Sequence, residues 1–316
     1  MRNPWLSVIM PSHNGERWLA AALQSVVDQG ESGIEVIFVD SSASEASLQI
    51  AASFAGKLEI RTYRRLDLVP WPAKTNFGVA EARGEWICIL HVDDLWLPGR
   101  SRALRAWLSG QCGGVLHLHP AYIVDGEGKK LGIWRCPLPQ SKAAVSPQIM
   151  LERLLLQNFV PVPAATIRRE TFLEVGGMDE ALWHTADWDL YLKLAAAGTV
   201  YYHPQPLARY RIHGNSLGAL GSRNLGDFRD QLETVLDRHI EKLSGASRKA
   251  VLRLASASIE MNTALAAANA GRPLALVKAF ASILKLGPLG IYRYFYYSRI
   301  IDRALPRLRA RLAGKI

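Results

Sequence analysis

The richest chemistry in this sequence lies in "GEWICILHVDDLWLPG", residues 84–99, where an apolar run ends abruptly in His91, Asp93 and Asp94. Carboxylates are costly to bury without partners, so the run is expected to be a strand that delivers its polar end to the rim of a sheet. Carboxylate oxygens there suit a hard divalent cation, and an imidazole from His91 suits Mn²⁺ better than Mg²⁺. His91 serves equally well as a hydrogen-bonding residue without metal contact. If the chain stays extended, Asp94 points away from Asp93, as a loop or helix cap does. A second pair of acids stands in "TADWDLYLKLAAAG", residues 185–198. At about 100° per residue, Asp187 shares a face with Leu190, Tyr191 and Leu194 and looks inward. Asp189 falls on the opposite side beside Lys193, at the spacing of a solvent-exposed ion pair. Asp187 is therefore the expected general base, and its place in the first helical turn favours the ionised form a base needs.

These groups need a scaffold, and the first half of the chain alternates strand and helix. Strands are expected at "SVIM" (7–10), "VIFVD" (36–40), "LEIRTY" (58–63) and 86–90, with helices around Leu19 to Val27, over 47–54 and over 75–82. Continuous apolar strands separated by helices imply a parallel sheet covered on both faces. Three of these strands end in polar residues: Ser12-His13-Asn14, Asp40, and His91 with Asp93 and Asp94. In open α/β sheets ligands bind beyond the carboxyl ends of the strands. The middle of the chain mixes short strands with helices at 146–157 and 169–175, then a helix between Thr185 as N-cap and Gly198 as its stop. Beyond Ser216 the sequence is Ala- and Leu-rich, with helix breaks expected near Gly245, Gly271–Pro273 and Gly287–Gly290. The expected division is a catalytic domain over 1–216 and a helical C-terminal region over 217–316.

The 316 residues carry three cysteines, Cys88, Cys112 and Cys136, with no C-x-x-C pair, so neither a zinc cluster nor a disulfide framework is indicated. No secretory signal or uncharged run of about 18 apolar residues is evident, so a cytoplasmic protein is expected. From Lys285 onward eight Lys or Arg residues stand against Asp302, which accounts for seven of the ten net positive charges. Tyr294, Ser298, Ile301, Leu305, Leu308 and Leu312 form a largely apolar stripe there, with Arg299, Arg303, Arg307 and Arg311 repeating beside it. This composition suits a helix lying on an anionic membrane surface, kinked or restarted at Pro306. A domain-packing helix with a solvated basic face is the competing view; no nucleic-acid motif accompanies the charge.

Taken in order, "SVIMPSHN", "VIFVDSSA", "NFGVAEARGEWICILHVDD" and "TADWDLYLKLAAAG" resemble the family-2 inverting glycosyltransferases of the GT-A fold, over about the first 215 residues. The resemblance implies a Rossmann-like, mostly parallel α/β sheet with flanking helices, here followed by a C-terminal helical extension. It also implies transfer of a sugar from a nucleotide-diphosphate donor to a hydroxyl of a saccharide or lipid-linked acceptor, with inversion, in cell-envelope polysaccharide synthesis. Carried over residue by residue, Pro11, Ser12, Asn14 and Asp40 hold the nucleotide, and Asn76 and Gly78 open a helix near the donor, a purely structural helix being the competing view. Asp93 is the metal ligand of the D-x-D motif, joined by His213 of "YRIHGNSLG" and by His91, for Mn²⁺ or Mg²⁺. Arg211 serves the diphosphate or pairs with a surface acid, and Trp71, Trp183 and Trp188 stack on sugars or fill the core.

Three departures from the family pattern stand out: His91 where an acid is usual, Ser41 and Ser42 after Asp40, and Ala186 where a Glu often precedes the base. They motivate a second reading, a nucleotide-sugar-binding protein lacking transfer activity. A nucleotidyltransferase is a third, opposed by the lack of a Gly-rich phosphate loop after the first strand.

Overall fold

In the computed structural model, which describes residues 3–110, 114–140, 144–214 and 224–315, the chain opens with four parallel strands. They are β1 (Leu6–Ser12), β2 (Ile34–Asp40), β3 (Glu59–Arg64) and β4 (Trp86–Ile89), connected by α1 (Glu16–Val27), α2 (Ala46–Ala52) and α3 (Trp71–Glu81). Every residue of β1, β2 and β4 is buried, which is why these strands read as unbroken apolar runs. The sheet continues as β3-β2-β1-β4-β10-β6-β11-β9, adding β6 (Gly114–Leu118), β9 (Ala144–Val145), β10 (Ala165–Arg168) and β11 (Thr199–Tyr202). Because β10 runs antiparallel to both β4 and β6, the sheet is mixed rather than wholly parallel. A second sheet, β5-β12-β7-β8, is built from β5 (Leu95–Trp96), β7 (Ala121–Val124), β8 (Lys130–Trp134) and β12 (Ala208–Arg211).

Helix α3 starts four residues before the expected Thr75, with Pro72 in its first turn, where a missing N–H costs nothing. A Cβ on Gly78 would lie 2.7 Å from Ile9 Cγ2 and 3.5 Å from Val39 Cγ2, so this glycine lets α3 press onto the sheet. The Asn76 amide donates to Met178 O (2.9 Å) and Glu180 Oε1 (3.0 Å) and accepts from Met178 N (2.9 Å), so both residues have a structural role in seating α3.

The C-terminal helices are α8 (Leu225–Ile240), α9 (Gly245–Asn269), α10 (Ala275–Leu284), α11 (Gly287–Ser298) and α12 (Ile300–Leu312), with breaks near the expected glycines. The 216/217 boundary lies outside the described residues. The main core runs across it: Phe228, Leu232 and Val235 of α8 pack with Leu190 and Leu194 of α7 (Ala186–Ala197).

That packing corrects the reading of Asp189 as half of a solvent-exposed pair. It does pair with Lys193 at 2.7 Å, but it is fully buried and is also held by Arg238 Nη1 at 2.9 Å and His239 Nε2 at 2.7 Å, both from α8. Burial opposes its charge, and the bonds from His239 and Lys193 outweigh burial, holding the carboxyl well below its usual range. Asp189→Asn is expected to lower the unfolding free energy by roughly 3 kcal/mol in urea titrations near neutral pH, because it strands cations gathered around a buried acid. A depressed pKa contributes stability above the ordinary carboxylate range and loses it as pH falls, so wild type and variant should converge in acid.

The tail departs from one continuous stripe. The chain turns at Arg299, which has φ 49°, and α12 begins after it. Pro306 lies inside α12 without breaking it and packs on the Cβ-free face of Gly132. Tyr294 and Ser298 are buried, while Ile301, Leu305, Leu308 and Leu312 are exposed. Arg303 and Arg307 turn inward over Trp134, at 5.7 and 5.9 Å from its ring, so the arginines do not form one solvated row. No single described helix is long and apolar enough to cross a membrane; α10 and α11, bent by 118°, are apolar enough only as a pair.

Candidate active site

The ends of β1 and β2 are knitted together at the carboxyl edge of the sheet. Pro11 and Ser12 pair in register with Val39 and Asp40, and Ser41 N donates to Ser12 O at 3.2 Å. Asn14, exposed and in the left-handed region at φ 53°, donates its N–H to Ser42 Oγ at 2.7 Å. Asp40 is buried and accepts from Ser42 N (3.2 Å) and Ser42 Oγ (2.8 Å), so the serines that replace a second acid lock the first in place. Ser12 Oγ is buried with no hydrogen-bond partner among the described residues.

One cation at this edge escaped the sequence reading. Lys74 is buried in α3, where its Nζ donates to Ser41 Oγ (2.7 Å) and Val69 O (2.8 Å). Burial pulls its pKa down to about 8, against the opposing charge of Asp40. The available signal was a lone Lys among small apolar residues in "WPAKTNFG".

Beyond β4 the chain turns instead of staying extended, with Asp94 N donating to His91 O at 3.0 Å. The turn overturns the expectation that Asp94 points away: one ligand atom from each of His91, Asp93 and Asp94 lies within 4.8 Å of the others. Arg211 holds the turn, its backbone N–H donating to Asp94 Oδ1 (2.9 Å) and its Nε to Asp93 O (2.8 Å). Its Nη1 binds Asp125 O and Gly126 O, both at 3.0 Å, so Arg211 is a buried strut and neither a diphosphate contact nor half of a surface pair. His213 Nε2 lies 2.9 Å from Asp93 Oδ2, its ring against Trp18 at 4.3 Å.

The electrostatics of the turn are those of a site built for a cation. Burial, then the charge of Asp93, pushes the Asp94 carboxyl well above its usual range. For Asp93 burial acts in the same sense, but the bond from His213, first among the opposing causes, helps hold its carboxyl below the usual range. Burial keeps His91 neutral, as a metal-binding imidazole must be. Its Nε2 and Asp94 Oδ2 are buried without partners among the described residues. Two crowded carboxylates and an orphaned imidazole nitrogen fit a divalent ion.

Asp187 begins α7 after Thr185, which occupies the N-cap position without a capping bond from its hydroxyl. Asn158 Nδ2 donates to Asp187 Oδ2 at 3.0 Å, and Trp188 N to Asp187 Oδ1 at 2.8 Å. Burial raises the Asp187 pKa to about 6 despite these bonds, so the expected bias toward the ionised form is reversed: desolvation exceeds the helix dipole. Asn158→Ala is expected to raise it further and move the acidic limb of any Asp187-dependent rate to higher pH, because the lost bond favours the charged form. A pH–rate profile of the variant checks this.

Tryptophans link the acidic turn to the segment ahead of α7. Trp71 sets its ring edge-on to His91 at 5.1 Å and donates Nε1 to Trp183 O at 2.7 Å, just ahead of α7. Trp183 in turn donates to Asp227 Oδ2 of α8 at 2.7 Å. Trp188 is a core residue, buried and donating to Leu154 O at 2.7 Å. Burial pushes the Tyr210 phenol up to about 12; Arg307 opposes this, and Asp94, Asp93 and Asp187 each add to the rise. The charges of all three carboxylates therefore act on one phenol.

Residues 7–174 match the sequence pattern of glycosyl transferase family 2. The chain belongs to that family. An uncharacterized glycosyltransferase of Haemophilus influenzae is 28% identical over 212 residues, spanning 66% of this chain and 68% of the relative. One from Nostoc is 27% identical over 213 residues, spanning 66% of this chain and 65% of the relative. Among solved structures, S. aureus TarS superposes with a TM-score of 0.61 at 18% identity, over 80% of this chain and 43% of TarS. A TarS fragment in complex with UDP gives a TM-score of 0.59 at 16% identity, over 98% of this chain and 91% of the fragment. The mannosyltransferase PcManGT from Pyrobaculum calidifontis, in complex with GDP-Man and Mn²⁺, gives 0.56 at 17% identity, over 98% and 88%. At these identities the likeness is one of fold, and the glycosyltransferase shares the GT-A architecture of both.

Proposed function

We propose that this glycosyltransferase moves a sugar from a nucleoside-diphosphate donor to a hydroxyl of a saccharide or lipid-linked acceptor, with inversion, during synthesis of a cell-envelope glycan. The observation that carries the reading is the convergence of His91, Asp93 and Asp94 in one turn. Trp71 links that turn to the segment ahead of Asp187, through His91 at 5.1 Å and Trp183 O at 2.7 Å, and in this reading the turn and Asp187 face one cleft. Residues 1–216 form the catalytic domain in this reading, and 217–316 cover and extend it.

The donor's nucleotide lies along Pro11, Ser12, Asn14 and Asp40, with Lys74 beneath the same edge. A divalent ion held by Asp93, Asp94 and His91 would neutralise charge on the departing diphosphate. His213 orients Asp93 through its 2.9 Å contact. Asp187 takes the proton from the acceptor hydroxyl as that oxygen attacks the sugar carbon, and Asn158 holds the carboxylate for the transfer. Attack on the face opposite the departing diphosphate inverts the anomeric centre. The enzyme works at the inner face of the membrane, with exposed Val277, Phe280 and Leu284 of α10 and Ile301, Leu305 and Leu308 of α12 toward lipid.

The deciding experiment screens nucleotide sugars for thermal stabilisation with and without Mn²⁺, starting from UDP-GlcNAc and GDP-Man, then follows donor turnover with the best binder. Stabilisation and metal-stimulated turnover are expected. Binding without turnover would favour the non-transferring reading that His91 and Ala186 motivate, and no nucleotide binding would sink both.

A further inference from the structure

Among the described residues, two arginines of α12 have no hydrogen-bonded or ion-paired carboxylate. The Nε and Nη2 atoms of Arg303 are buried with no hydrogen-bond partner among the described residues. Arg307, one turn on and half-buried, spends Nη1 on the Arg303 carbonyl at 2.9 Å. Asp302, the acid beside them in sequence, faces Arg135 at 3.6 Å, and the residues outside the described set include no Asp or Glu. Two guanidinium groups one helical turn apart repel each other, and the charge of Asp302 opposes this for Arg303 without a hydrogen bond to it. Burial and then the charge of Arg307 pull even the Arg303 pKa down, to about 10.

The pair sits at the acceptor side of the proposed cleft. Both guanidinium groups lie within 6 Å of the Trp134 ring, and Trp134 stands edge-on to Tyr210 at 5.1 Å. Tyr210 is next to Arg211, which holds the acidic turn. The charge of Arg307 reaches His184 as well as Tyr210, and His184 belongs to the segment that leads into Asp187. A donor diphosphate belongs with the cation-binding turn, so a second anionic group next to the base belongs to the acceptor.

We infer that Arg303 and Arg307, with Trp134 and Tyr210 beside them, bind a phosphate group carried by the acceptor. Guanidinium forks match phosphate oxygens in pairs, and an aromatic floor suits the carbon attached to them. Assigning the phosphate to the acceptor rests on the proposed transfer; the presence of a phosphate site does not.

The test is isothermal titration of the full chain with geranyl phosphate, geraniol, inorganic phosphate, and UDP with Mn²⁺. Wild type is expected to bind geranyl phosphate far better than geraniol, with inorganic phosphate competing. Arg307→Gln should weaken geranyl phosphate by about tenfold or more, Arg307→Lys by less, and UDP should stay within about twofold. Arg303→Gln should behave like Arg307→Gln; should it fail to fold, the half-buried Arg307 decides alone. Equal binding of geraniol, no binding of geranyl phosphate by wild type, or unchanged binding by Arg307→Gln overturns the site. Equal weakening of UDP hands the arginines to the donor and overturns the acceptor assignment. Failure of wild type to bind UDP would count against the proposed function and leave the phosphate titrations readable.

Discussion

Asp187→Asn should cut sugar transfer by roughly 10²–10⁴-fold while leaving donor binding and the melting temperature nearly unchanged, because the amide keeps the shape and loses the basic oxygen. The nearby acid Asp189 cannot substitute, being locked among Lys193, Arg238 and His239. The pH profile sharpens the expectation. A base must be ionised, and burial raises this carboxyl to about 6, so kcat/KM should rise through about pH 6 and fall about tenfold per unit below it. An ordinary exposed Asp would put that limb near 4. The Asn variant's residual rate should lack the limb. A limb near pH 4 in wild type, or one near 6 that survives in Asp187→Asn, would remove Asp187 from the base role.

The second large effect concerns the acidic turn. Asp93→Asn should abolish Mn²⁺-stimulated turnover, a loss on the order of a thousandfold if the ion supplies several kcal/mol to the leaving group. The metal-free melting temperature should fall modestly near neutral pH, because Asp93 is held below its usual range by the His213 bond and its ionised form therefore contributes stability that the amide loses. The extra stabilisation that Mn²⁺ gives wild type should vanish, because the ligand set is broken. A variant that melts earlier yet keeps its Mn²⁺ response would make Asp93 a structural acid.

Much of the site was legible one residue at a time. Buried strands read as apolar runs, so the carboxyl ends of β1, β2 and β4 and the polar groups at Ser12, Asp40 and Asp93 were found from composition alone. Helical periodicity set Asp187 and Asp189 on different faces of one helix, since residues two apart on a helix face nearly opposite ways. The same argument misjudged what lay opposite, because α8, some 50 residues downstream, covers that face and takes Asp189 into a buried ion cluster. For Asn76 and Gly78 the motif left a donor contact and a structural role open, and only the fold supplies their packing partners at Met178 and Ile9.

What the sequence by itself determined, then, was which strands are buried, which polar residues stand at their ends, and which helix faces oppose each other; these follow from local periods of 2 and 3.6 residues. Only the tertiary structure decided that His91, Asp93 and Asp94 converge, that burial makes Asp187 a weak acid, and that Arg303 and Arg307 turn inward. Each outcome depends on a contact between residues distant in the chain, such as Arg211 bracing the turn at Asp93 and Asp94 or Trp134 beneath the two arginines. Desolvation, which set the charges of all these groups, is a property of what surrounds a side chain in space, and no spacing along the sequence records it.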